Sequence, residues 1–415
     1  MKLSLLLPCC ITRLFEENLK NRDKRKNCIL WIGGLGCLFL IIVCALLKEM
    51  FPFSIGCSIK NIENHIKQLC SGVNEDELEV GIDEHKIFNL CLELCESSTS
   101  QDLSCHLFHS SKEAVFTLNR ESKIIVKSIS YQEEIQEEED DIDNSTYYSD
   151  VNVSTLEDFE HWVAVYTKSF MNIGYYIDTK KILEENEIYR ISKESSNRRQ
   201  EFWDLIQDQE FLTSLLFQEF GLFPKILGYC KNFYAVEYFK PLTENVLKPY
   251  DLQWRERIYK ALDIVHYVGL LNTVWSETLH LCDVKPDHFG WHLEAGHVVF
   301  LDMDAVLTES HLMKTMEYTV SCADDDDCSY FDCQGRCNRQ TSKCYSKRVN
   351  TNLQVVCDKI FLGNADGYFN LYGLLDSHEV NDQLQDALEL CRINKGMTTD
   401  VMIDVLYQAS NRLSY

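Results

Sequence analysis

Positive charge is scarce in this chain of 415 residues. Its 40 Lys and Arg stand against 65 Asp and Glu, a net charge of −25. Such a surface repels a polyanion, so nucleic acid is excluded as an expected partner. Charge of either sign is missing altogether from Cys28–Leu47, CILWIGGLGCLFLIIVCALL. Twenty helical residues span about 30 Å, the thickness of a bilayer core. A buried helix of a soluble protein would normally carry some polar face. No A-x-A-like site follows the apolar run, which speaks against a cleaved signal peptide. No internal repeat is visible.

The charge that is present is unevenly spread. Residues 1–27 hold seven basic and three acidic side chains, whereas residues 48–415 hold 33 and 62. Lys20, Arg22, Lys24, Arg25 and Lys26 lie just before the apolar run, and only Lys48 follows closely. The positive-inside rule then keeps residues 1–27 as a cytosolic tail, makes 28–47 an uncleaved signal-anchor and sends the rest across as a single-pass type II protein. Fourteen of the 19 cysteines lie beyond this segment, which in an oxidising lumen implies disulfides of undetermined connectivity. Two acceptor sequons, at Asn144 and Asn152, fall on the same side and are expected to be glycosylated.

Residues 48–110 are cysteine-rich and read as a stalk or small subdomain. A hairpin follows, AVFTL (114–118) and KIIVKSI (123–129), then an acidic loop over 133–143. Residues 156–220 carry helical periodicity, FPKILGYC and FYAVEYF read as two strands bent at Lys231-Asn232, and 253–271 give a helix with Ile258, Leu262, Val265 and Val268 on one face. The expected fold is α+β: a small lobe over 111–239, a hinge at AVEYF, and a helical lobe over 240–415.

The chemistry concentrates in HLCDVKPDHFGW (280–291) and VVFLDMDAVL (298–307). Phosphoryl transfer needs a Lys on the phosphates, a Glu to hold it, an Asp beside the acceptor hydroxyl and metal ligands. Asp283 fits the acceptor-side Asp and Lys285 the Lys after it. Asp302, with Asp304 as the nearby second choice, fits a metal ligand at a strand end. Lys127 fits the strand lysine. Glu210 is its preferred partner, with Glu201 and Glu219 competing. Four parts are absent or replaced. No glycine precedes Lys127 in HSSKEAVF, Leu281-Cys282 replaces His-Arg before Asp283, Asp302-Met-Asp replaces Asp-Phe-Gly, and His288 stands where an Asn should bind a second metal. An imidazole suits softer ions than Mg²⁺.

A second block, Cys322, Cys328, Cys333, Cys337 and Cys344, has spacings of five, four, three and six residues. Zinc is conceivable there, but in an oxidising lumen disulfides are favoured. Asp324–Asp327 lacks the alternating ligand pattern of a calcium loop and reads as a charged turn.

With WDLIQDQEF (203–211), FPKILGYCKNFYAVEY (223–238), LCDVKPDHFGW (281–291), FLDMD (300–304) and the cysteine block, the chain resembles the divergent protein kinase domain 1 family. These are cysteine-rich type II membrane proteins of the endoplasmic reticulum with a kinase-like lumenal domain. The resemblance implies a two-lobed kinase-like fold behind one membrane helix. It also implies residence in the reticulum membrane. The expected partner is an unidentified lumenal protein or glycan. Some members carry a calcium-binding EF-hand before the WDLIQDQEF helix. Here EENEIYRISKESSNRRQ (184–200) lacks its ligands and glycine, so calcium is not expected. Two functions are compatible: a degenerate kinase fold acting as a binding or regulatory module, and an active atypical kinase using ATP with Mn²⁺ or Mg²⁺.

Overall fold

The structure is a computed structural model. It describes residues 59–73, 88–95, 102–105, 115–119, 123–129, 151–171, 179–242, 253–292, 296–317, 321–363, 373–376, 382–393 and 396–411. The expected tail 1–27, the segment 28–47, the acidic loop, Asn144 and most of HSSKEAVF lie outside these residues. Among the described residues no helix is long and apolar enough to cross a membrane.

An antiparallel five-stranded sheet has the order β1 (Leu103–Cys105), β2 (Val115–Asn119), β3 (Lys123–Ser128), β5 (Phe233–Glu237), β4 (Ile226–Cys230). Alternation along β3 buries Ile124, Val126 and Ser128 and leaves Lys127 in the other row. In the 48–110 segment, helices α1 (Ile59–Ser71) and α2 (Leu90–Cys95) precede β1. Cys70–Cys95 joins the two helices, and Cys91–Cys230 ties α2 to β4. Where it is described, this segment therefore packs onto the sheet. A Cβ on Gly228 of β4 would meet the Phe88 carbonyl oxygen at 2.3 Å, so only glycine permits the close approach.

The helical stretch 156–220 is several helices: α3 (Leu156–Met171), α4 (Thr179–Glu185), α5 (Glu187–Ser192), α6 (Ser196–Ile206) and α7 (Gln209–Phe217). Asn186, Ser195 and Asp208 each turn a side-chain oxygen onto a backbone N–H at the start of the next helix, and so set three of the breaks. Every residue of α7 from Glu210 to Phe217 is buried, as expected of a helix covered on all sides.

The helical half is built around α8 (Trp254–Leu271), whose Ile258, Leu262, Val265 and Val268 are all buried. Two small antiparallel sheets hold the loops between. β6 (Lys240–Pro241), β8 (Phe289–Trp291) and β9 (Val298–Phe300) form one, and β7 (Leu279–Leu281) with β10 (Val306–Thr308) forms the other. Helix α9 (Glu309–Glu317) follows β10 directly.

The cysteine block makes two hairpins, β11 (Ser329–Tyr330) with β12 (Cys333–Gln334), and β13 (Arg336–Asn338) with β14 (Lys343–Tyr345). All five of its cysteines are in disulfides: Cys322–Cys337, Cys328–Cys344, and Cys333 with Cys282 outside the block. No thiolate of the block is left for zinc. Helix α10 (Asn352–Val356) continues into a wide turn, Cys357–Phe361, which Cys357–Cys391 ties to α11 (Asp382–Arg392). The last helix, α12 (Thr399–Asn411), buries Met402, Leu406 and Ala409.

Candidate functional site

Lys127 and Tyr234 face one another across β3 and β5, and both side chains point at Glu210 on α7. The Lys127 ammonium bonds Glu210 Oε1. Tyr234 donates its hydroxyl hydrogen to Oε2 at 3.2 Å. Burial, and then the Glu210 charge, holds Tyr234 well above its ordinary pKa, so it remains a donor. Lys127 also donates to the Leu301 carbonyl at 3.3 Å, which places its charge beside Asp302. Of the competing acids, Glu201 pairs with Lys231 at 2.9 Å, and Glu219 lies in the turn after α7.

Asp283 follows β7 in a loop. Its Oδ2 is 2.7 Å from the Lys285 ammonium. Burial alone would lower Lys285, but the bond to Asp283 and the charges of Asp283, Asp287 and Asp302 outweigh it and hold Lys285 above its ordinary value.

His288 sits in a short turn and is buried. Its Nδ1 is 2.9 Å from the Asp283 carbonyl oxygen. A carbonyl can only accept, so Nδ1 carries the hydrogen. Nε2 then faces Asp302 Oδ2 at 3.1 Å. Two acceptors that close repel unless a proton or a metal cation lies with them. One ligand atom from each of Asp283, His288 and Asp302 lies within 4.8 Å of the others. This donor set fits a divalent cation.

A second trio, Asp208, Glu210 and Asp304, satisfies the same distance. Five carboxylates therefore surround three basic side chains, Lys127, Lys285 and His288, and the centre attracts cations. Asp304 also donates its backbone N–H to Asp302 Oδ1 at 3.4 Å.

The structure thus draws Lys127, Glu210, Asp302 and Asp304 together with Asp283, Lys285 and His288. Asn152 is exposed before α3 and its side-chain oxygen accepts the Ser154 N–H at 2.9 Å. Three residues near the centre were not singled out from the sequence. Asp208 reads only as a helix cap, Tyr234 as an alternating strand residue, and Asp332 as one more acid within the cysteine block. The DQE spacing, one acid at the cap and another in the first turn of a helix, is the one signal that could have pointed to Asp208.

Residues 202–394 match a family model described as the protein-kinase domain of FAM69. Among solved structures, one described as the complex structure of Rv3197-erythromycin from Mycobacterium tuberculosis is similar at 10% identity and a TM-score of 0.23. That likeness covers 72% of this chain and 71% of that one.

Proposed function

We propose, for a chain whose residues 202–394 belong to the FAM69 family of divergent protein-kinase domains, that the site binds ATP with a divalent cation and transfers the γ-phosphoryl group to a hydroxyl. The observation that carries this reading is the Lys127–Glu210 pair, with Glu210 only 2% exposed. A buried ion pair stabilises a fold no better than apolar side chains of the same volume, so function explains its presence better than stability does. Lys127 would meet the phosphates. The acceptor oxygen forms its bond to the γ-phosphorus as the bridging oxygen leaves with ADP, and the acceptor's proton passes to Asp283. A cation held by Asp302 and His288 would neutralise phosphate charge. With an imidazole among its ligands, Mn²⁺ is favoured over Mg²⁺.

The second reading is a binding or regulatory module without transfer. His288 at the position of an expected Asn ligand favours it. Under either reading the chain is a single-pass type II protein of the endoplasmic reticulum membrane, acting on or binding a lumenal protein or glycan. Six disulfides among the described residues support an oxidising compartment.

Thermal-shift titration of ATP with each metal, beside transfer of labelled phosphate, tests this. Wild type should be stabilised by ATP with Mn²⁺, His288→Asn should gain response to Mg²⁺, and Asp302→Ala should lose both. Binding without transfer selects the regulatory module. No binding with either metal, in wild type or in His288→Asn, removes the transfer reading and leaves the loop as a relic within a binding module.

A further inference from the structure

The bonds that Asp332 makes bracket Asp283. Its backbone N–H donates to the carbonyl of Cys282, the residue before Asp283, at 2.6 Å. Its Oδ2 accepts the backbone N–H of Val284, the residue after, at 2.7 Å. Its Oδ1 is 2.5 Å from the Lys359 ammonium, and its own carbonyl accepts from Asn350 Nδ2 at 2.7 Å. Cys333, the next residue, is in a disulfide with Cys282. Asp332 thus joins three segments: the β11–β12 hairpin, the loop of Asp283 and the turn after α10.

The charge is well used. The Asp332 and Lys359 side chains are 12% and 20% exposed, and each is the other's counter-ion. The hydrogen bond to Val284 is charge-assisted, of the stronger kind. Val284 is fully buried, so without that carboxylate oxygen its N–H would lose its partner away from water.

We propose that Asp332 is a positioning residue: it fixes the peptide groups on both sides of Asp283 and so aims that carboxylate at the acceptor hydroxyl. The proposal rests on the phosphotransfer reading for its catalytic consequence, but not for its structural one. Asp332 has no bond to the nucleotide-side groups Lys127 and Glu210, so its larger effect falls on the rate of transfer, and a smaller one on nucleotide affinity passes through His288, which bonds the Asp283 carbonyl. Displacing a reacting group by about 1 Å typically costs about 100-fold in rate.

The test uses the full chain with its disulfides intact and compares Asp332→Ala with Asp332→Asn. The amide of Asn keeps an oxygen for the Val284 N–H and gives up the charge. Hydrogen exchange at Val284 should quicken at least tenfold in Asp332→Ala and return most of the way in Asp332→Asn. The turnover rate should fall about 100-fold in Asp332→Ala and recover substantially in Asp332→Asn, with KM for ATP·Mn²⁺ changing by no more than about tenfold. Adding Lys359→Met to Asp332→Ala removes the stranded ammonium, so the exchange effect can be read in a stable protein. Unchanged Val284 exchange in Asp332→Ala would overturn the proposal, as would an ATP affinity that falls in step with the rate. If wild type transfers no phosphate, the phosphotransfer reading fails, while Val284 exchange still decides whether Asp332 holds the loop.

Discussion

Lys127 and Glu210 sit within a sheet-and-helix core, whereas Asp283 sits in a loop held by staples. Around the first pair, β5 presents Tyr234 and Val236, and α7 brings Phe211, Leu212 and Leu215, all buried in one core. Tight apolar packing fixes where the two charges meet. Around Asp283 the holding groups are polar and covalent. The Cys282–Cys333 disulfide and the Asp332 bonds act on one side. On the other, Asn352 accepts the Leu281 N–H at 3.0 Å and donates to the Leu279 carbonyl at 2.8 Å. Arg348 donates to Asn352 and to His280 Nδ1 at 2.7 and 3.0 Å. A core can bury a charge pair and place it by packing. In the loop of Asp283 the flanking Leu281, Cys282 and Val284 are buried, and directed bonds fix the peptide groups between them.

The largest expected effect lies on the core side. Glu210→Ala leaves Lys127 without its main counter-ion and should cost about 3–5 kcal/mol in stability. Lys127→Met with Glu210→Met should instead be neutral or stabilising, by up to about 4 kcal/mol, and abolish nucleotide binding. Denaturant unfolding of both variants measures this. If the double variant unfolds as easily as Glu210→Ala, the pair holds the fold together and the contrast between the two sides breaks.

On the stapled side, Cys282→Ser with Cys333→Ser should cost about 2–4 kcal/mol. Where the variant remains folded, ATP·Mn²⁺ affinity should stay within a few-fold of wild type while transfer is lost. Loss of nucleotide binding in the folded variant would mean that the two sides are not held independently.

A pH effect of similar or smaller size belongs to α9. Burial, and then the Lys314 charge, lowers His311 to about 4. A histidine neutral in the folded chain takes up a proton more readily once unfolded. Stability should therefore be lost as pH falls below about 6.5 and level off below about 4, by up to about 3 kcal/mol. Burial and the Arg348 charge lower His280 as well, in the same direction. Unfolding at pH 7.5 and pH 5, in wild type and His311→Asn, reads the slope, which the substitution should flatten.

The smallest effect is a helix cap. Asn186→Ala should cost about 1 kcal/mol, and a little more because Asn186 also donates to the Leu215 carbonyl at 3.2 Å. Calorimetry should show a lower Tm and unaltered nucleotide affinity.

How much of this could be read in advance follows the range of the interactions. The β2–β3 and β4–β5 hairpins and the face of α8 are local, and period and turn residues display them. The breaks at Asn186, Ser195 and Asp208 carry cap residues, yet unbroken apolar spacing across 201–220 masks the last of them. The partner of Lys127 lies 83 residues away, and three glutamates compete for it in the sequence. Disulfide partners are less visible still, since Cys91 and Cys230 are 139 residues apart. Asp332 had no local signal at all. Its role arises only when a hairpin from the cysteine block reaches a loop 48 residues earlier. The replaced motif residues point first towards a module without chemistry, and the assembled charge pair moves the reading towards transfer.

The most direct test is a calorimetric double-mutant cycle on ATP·Mn²⁺ binding, with Lys127→Ala, Asp302→Ala and both together. If the core and the loop region make one nucleotide site, each single change should weaken binding at least tenfold. The double variant should then be little worse than either, because both side chains hold the same ligand. Wild-type affinity in both single variants would contradict the account.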